Sequence, residues 1–61
     1  MHYLDRASVQ AAAEAAVDGD HSAFYALWAQ VPPRQAKAWM RRFADAMLRI
    51  ADARERKASA S

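Results

Sequence analysis

Apolar residues recur along this chain at spacings of three and four, and no stretch shows the alternation that a half-buried strand requires. Three helical segments follow from that rhythm. The first covers Arg6 to about Val17. With about 100° of rotation per residue, Val9, Ala12, Ala13 and Ala16 share one narrow, flat face that lets another helix come close. Asp5 stands at the N-cap position, and Leu4 ahead of it with Val9 inside the helix fits a hydrophobic staple. Asp18-Gly19 stops the segment, because glycine tolerates the left-handed conformation that closes a helix.

The second segment covers about His21 to Gln30, with Asp20 as its cap. Phe24, Leu27, Trp28 and Val31 follow the i, i+3, i+4, i+7 rule, and Tyr25 falls to the rim. Pro32-Pro33 ends it, since a residue preceding proline is pushed out of the α region. The third segment starts at Pro33 or Arg34 and runs to about Lys57, leaving 58–61 as a frayed tail. Ala36, Met40, Phe43, Met47 and Ile50 are spaced 4-3-4-3, a short coiled-coil-like seam with Trp39 beside it. The expected fold is therefore all-α: a small three-helix protein, two helices short and the C-terminal one long, forming a single domain over 1–57.

Composition changes that picture in one respect. Of 61 residues 17 are alanine and only 16 are larger hydrophobes, so much of the apolar inventory is single methyl groups. A chain this short buries roughly 60% of its unfolded surface and is marginal alone. It is expected to share its core with a partner, most simply a second copy, as a homodimeric helical bundle. Met40, Phe43, Met47 and Ile50 are the residues that self-association would use. The first two helices, folded back, could cover the same seam within one chain, and both arrangements draw on the same residues.

Charge is divided along the chain. Residues 1–33 hold Arg6 against Asp5, Glu14, Asp18 and Asp20, a balance of −3, whereas residues 34–61 hold eight bases against three acids, a balance of +5. Arg34, Lys37, Arg41, Arg42, Arg49 and Arg56 fall in one arc of the third helix, roughly 140° wide. Such a stripe could track nucleic-acid phosphates. Asp45 and Asp52 lie inside it, however, and would repel them. These acids make Arg41–Asp45, Asp45–Arg49 and Asp52–Arg56 i,i+4 pairs that support the helix. Leu48 sits on that polar arc next to Arg41, away from the apolar seam. With Arg41, Arg42 and Arg49 it forms the candidate surface for a protein partner, joined by Trp28 or Trp39 if either is exposed, since tryptophan is a frequent interface anchor, although a tryptophan pair in so small a core is the commoner role. Arg54 continues the apolar seam, so the seam either ends before it or meets an acidic partner at that point.

Other chemistry is poorly served. With no cysteine there is neither a disulfide framework nor a thiolate zinc site, which fits a reducing, cytoplasmic setting. His2 and His21 lack ligand companions at metal spacing, so no metal and no cofactor is expected. His21, Ser22 and Asp20 are adjacent and point to different sides, which argues against a catalytic relay. Gly19 is the only glycine, so no phosphate-binding loop exists. No apolar run of about 18 residues spans a membrane, and the start lacks a signal-peptide pattern.

The stretch Asp18-Gly19-Asp20-His21-Ser22-Ala23-Phe24-Tyr25-Ala26-Leu27-Trp28 resembles the opening of region 2 in extracytoplasmic-function sigma factors, where a Gly-Asp cap precedes Ala-Phe and a Leu-aromatic pair. The likeness spans a helix cap and an amphipathic turn and carries none of that family's promoter-reading residues. It implies at most a surface that mimics a polymerase-binding helix. In size and pattern the chain is also similar to small helical phage and plasmid proteins, among them anti-CRISPR proteins, quorum-sensing anti-activators and a plasmid RNA-binding hairpin. The expected function is a non-enzymatic protein–protein interaction module, a phage or bacterial regulator or inhibitor that blocks a target protein. The alternative is a nucleic-acid-binding regulator using the basic face of the third helix.

Overall fold

The computed structural model describes residues 1–60 and is all-α, with helix α1 over Arg6–Val17, α2 over Ser22–Trp28 and α3 over Ala36–Ala60. A 3-10 turn, Pro33–Gln35, leads into α3. Tyr3 and Arg6 lie beside the start of α3, while Asp18 at the end of α1 meets Arg54. Thus α1 runs parallel to α3. Phe24 packs on Phe43 and Trp28 on Trp39, so α2 runs back between them in direction, giving an up-down-up arrangement. At about 1.5 Å per residue, α3 extends roughly 37 Å and accounts for most of the 42 Å long axis.

α1 ends in a Schellman motif. Gly19 adopts φ +91°, the Asp20 amide donates to the Ala15 carbonyl at 2.9 Å, and the Gly19 amide donates to Ala16 at 3.0 Å. Its start departs from expectation in mechanism. Asp5 is the cap residue, but its carboxylate accepts from the Ser8 hydroxyl at 2.7 Å rather than capping backbone amides. The staple is also displaced: Tyr3 packs on the core and Leu4 stays half exposed.

α2 is shorter than its sequence rhythm suggested. His21, not Asp20, is the cap residue, and Asp20 contributes by accepting the Ser22 amide at 3.1 Å. Val31 packs on the core from the turn beyond the helix. Pro32 is extended, at φ −64° and ψ 146°, because the following Pro33 excludes the α conformation. The Gln35 amide donates to the Pro32 carbonyl at 2.9 Å, which tightens the entry to α3 into a 3-10 turn. At its far end α3 continues past Lys57 through Ala58, Ser59 and Ala60, so this part of the expected frayed tail is helical. Ser61, the rest of that tail, lies outside the described residues.

The core consists of Val9, Ala12, Ala13, Ala16, Leu27, Trp39, Phe43 and Ala46. Two kinds of packing build it. Alanines on α1 meet Ala46 and allow the two parallel helices to approach closely. α2 instead reaches α3 through rings: Phe24 lies 4.9 Å from Phe43 and 5.9 Å from Trp39, and Trp39 stacks on Phe43 at 5.3 Å. These rings set the rotation of α3. Trp39 belongs to the seam rather than beside it, and Met40 turns outward to 38% exposure. The interior spacing is Trp39, Phe43, Ala46, Ile50, because two large rings facing Phe24 and Trp28 exclude more water than two methionines would.

Candidate functional site

Four guanidinium-bearing residues gather around one groove between α1 and α3. Arg6 comes from the first turn of α1, and Arg41, Arg42 and Arg49 come from the outer side of α3. Gln10 and Asp45 complete the polar rim, and Val9, Ala38 and Ala46 form the floor. The groove has a volume of about 720 Å³ and is open to solvent. Four cations against one carboxylate leave a local balance of +3.

This gathering follows from elementary geometry. Arg42 and Arg49 are two helical turns apart, about 10.5 Å along the axis, and project from one side of α3. The alanine face of α1 lies close enough that Arg6 joins them from a sequence distance of 36 residues to Arg42. Nothing in the periodicity of either helix alone marks Arg6. It becomes visible only when the parallel pairing of α1 with α3 is known.

Among the described residues, Asp45 forms no ion pair with Arg41 or Arg49; the i,i+4 pair that does form is Arg56 with Asp52, at 2.7 Å. The side chains of Arg41, Arg42 and Arg49 are therefore not engaged by neighbouring acids of their own helix. A smaller recess continues the groove toward the N-terminus, lined by Leu4, Gln35, Ala38, Trp39 and Arg42. It adds an apolar end to a cationic trough.

The remaining residues singled out from the sequence divide by placement. Trp39 and Phe43 are each 3% exposed and are committed to the interior. Trp39 is thus corrected from a partner anchor, and Phe43 from a self-association residue, to core; each is enclosed by rings of its own chain. Met47 and Ile50 pack partly on the same core, leaving Met40 as the most exposed member of the proposed seam. Trp28 is half exposed, one face stacked on Phe24 at 6.1 Å. Leu48 is 67% exposed and does not line the groove; it shares its side of α3 with Arg41, whereas Arg42 and Arg49 lie about 100° or more around the helix from it. Arg34 and Lys37 are exposed and likewise stand outside the groove, and Arg56 is engaged by Asp52, so the six-base stripe contracts to Arg41, Arg42 and Arg49 with Arg6 added.

Arg54 does find an acidic partner, and it lies within the chain. Both guanidinium nitrogens donate to the two carboxylate oxygens of Asp18, one of them at 3.3 Å. Asp18 is the C-cap residue of α1, where a carboxylate opposes the negative end of the helix dipole. The fork from Arg54 neutralises it there, and Asp18 in turn raises the pKa of Arg54 above its ordinary value.

Gln30, and the hydrogen bond made by Trp39, escaped sequence reasoning. The Gln30 amide donates to the Met1 carbonyl at 3.2 Å and accepts from the Tyr3 amide at 3.3 Å, and Trp39 Nε1 donates to the Tyr3 carbonyl at 2.7 Å. Together they hold the first residues against the α2–α3 corner. Their partners are main-chain groups, which carry no residue-type signal.

Among the described residues no group of three His, Cys, Asp or Glu is arranged to hold a metal ion, and no helix is long and apolar enough to cross a membrane. No family model matches the chain, and no curated protein or solved structure shows significant similarity to it.

Proposed function

We propose that this protein is a non-enzymatic interaction module, a small bacterial or phage regulator that acts as a homodimer and blocks a target protein by seating an acidic segment of it in the α1–α3 groove. The observation that carries this reading is the convergence of Arg6, Arg41, Arg42 and Arg49 on one trough with an apolar floor. Guanidinium forks match carboxylates in pairs, and charge complementarity sets both encounter rate and specificity. The chain's lack of cysteine suits a cytoplasmic target.

Asp45 favours a protein over a phosphate polymer. A nucleic-acid backbone presents only negative charge, so a carboxylate inside its track repels it. A protein segment can place a lysine or an amide opposite Asp45 and acids opposite Arg42 and Arg49. The second reading, nucleic-acid binding, rests on the same arginines and predicts affinity that falls steeply with salt.

The test is capture from a nuclease-treated lysate on the immobilised wild-type chain and on Arg42→Glu/Arg49→Glu. A discrete protein that survives nuclease and is retained at least tenfold less by the variant is the expected result, since two charge-assisted contacts would be reversed. Retention indifferent to the variant would remove the groove from the account. Capture that disappears with nuclease would transfer the groove to nucleic acid.

A further inference from the structure

Helix α3 carries a second heptad-like seam that neither α1 nor α2 covers. Lys37, Arg41, Ala44, Leu48, Ala51 and Glu55 are spaced 4-3-4-3-4, and all six are exposed. Three or four residues apart on a 3.6-residue turn, they fall within about 80° of one another, centred about 120° from the direction of Phe43. The face therefore points away from the core. Its centre is apolar, with Leu48 at 67% exposure between two alanines, and its ends are oppositely charged. Among the described residues neither Lys37 nor Glu55 forms an ion pair within the chain.

The order of residues along this face is self-complementary when reversed. We infer that a second copy of this chain packs on it, α3 against α3, antiparallel, with the two-fold axis at the level of Ala46. In that register Lys37 meets Glu55 of the second copy, Ala44 meets Leu48, and Arg41 meets Ala51. The two-fold axis makes each pairing occur twice. Leu48 drops beside a methyl group on each side, which lets the helix axes come close. A parallel pairing sets Lys37 against Lys37, Arg41 against Arg41 and Glu55 against Glu55, so like charges oppose it. The occupant is thus fixed by charge and register together.

This inference rests on the self-association proposed above; the seam shares Arg41 with the edge of the arginine groove and is otherwise separate from it. Arg42 and Arg49 lie on another side of α3, about 100° or more from the seam's centre. A single helix pair is a small interface, at the transient end of the range, so the dimer is expected to form in the micromolar region.

The experiment is sedimentation equilibrium from about 10 to 500 µM on the wild type, Leu48→Asp, Lys37→Glu, Glu55→Lys, the double reversal Lys37→Glu/Glu55→Lys and Arg42→Glu/Arg49→Glu, with circular dichroism to confirm that each stays helical. The wild type is expected to approach twice the 6.8 kDa chain mass. Leu48→Asp should weaken association at least about 100-fold, since two buried leucines are lost. Each single reversal should weaken it about tenfold and the double reversal should restore it, a rescue that only the antiparallel pairing produces. The groove variant should dimerise like the wild type. A wild type that keeps one chain's mass throughout would overturn both the self-association and the seam. A dimer indifferent to Leu48→Asp, or one that the double reversal fails to restore, would overturn the seam and its register while leaving the acidic-partner groove untouched.

Discussion

Leu27 has no solvent exposure, and no larger side chain among the described residues is so completely enclosed. It fills the space where α2 faces α1, opposite alanines whose methyl groups have no reach to refill it. Truncation to alanine therefore leaves a cavity, at a cost of about 2 to 5 kcal/mol. A domain of this length holds only about 3 to 9 kcal/mol in total, at roughly 0.05 to 0.15 kcal/mol per residue. Leu27→Ala is accordingly expected to remove at least about a fifth of the stability and, at the upper end of the cost, all of it, read from urea unfolding followed by circular dichroism. A loss below about 1 kcal/mol would mean that the site collapses or that the core lies elsewhere. Leu27 was legible in the sequence because its spacing from Phe24 and Val31 is that of a buried helix face. Trp39 was only half legible: its size suited a core residue or an interface anchor, and which way the ring faced depended on Phe24 and Trp28, which sit on a different helix. Gln30 was not legible at all, since an amide on a helix end looks the same whether it faces water or the main chain of Met1 and Tyr3.

Helices α1 and α3 show why elements were easier to read than their ends. The small-residue face of α1 and its Asp-Gly stop follow from side-chain volume and from the left-handed freedom of Gly19, both local properties. The beginnings of α1 and α2 involve competing donors. Asp5 accepts from the Ser8 hydroxyl, the main reason its carboxyl lies below the ordinary value of 3.8, a lowering that desolvation partly offsets. Asp20 is lowered chiefly by the Ser22 amide and then by the Ser22 hydroxyl. Both groups hold their protons less tightly folded than unfolded. Their contribution is therefore complete above the unfolded value and is lost as pH falls through the lower, folded one. Between neutral pH and the region below 3.8, the melting temperature of the wild type should fall more steeply than that of Asp5→Asn/Asp20→Asn. Parallel acid slopes in scanning calorimetry would show that these two carboxylates do not stabilise the helix starts.

At the scale of the molecule, the division of charge along the chain does not become a division between two separate surfaces. The Arg54–Asp18 fork ties the basic C-terminal helix to the acidic end of α1. Arg6, the single base of the first 33 residues, crosses over to join Arg41, Arg42 and Arg49. Linear charge sums could show neither feature, because both depend on the parallel placement of α1 along α3. What the composition did indicate is a small interior: half of the eight buried residues among those described are alanine. Such a core leaves little reserve, and association of two copies through the outer seam of α3 adds stability by mass action. The melting temperature should then rise with protein concentration, by roughly 3 to 6 °C for each tenfold increase once the dimer predominates. Leu48→Asp should melt at one temperature across the same range, because the residue is largely exposed in the single chain and its replacement leaves the interior intact. A wild-type melting temperature that stays constant with concentration would place the whole stability of the fold in one chain, and Trp39, Phe43 and Leu27 would then have to supply it without help from a second copy.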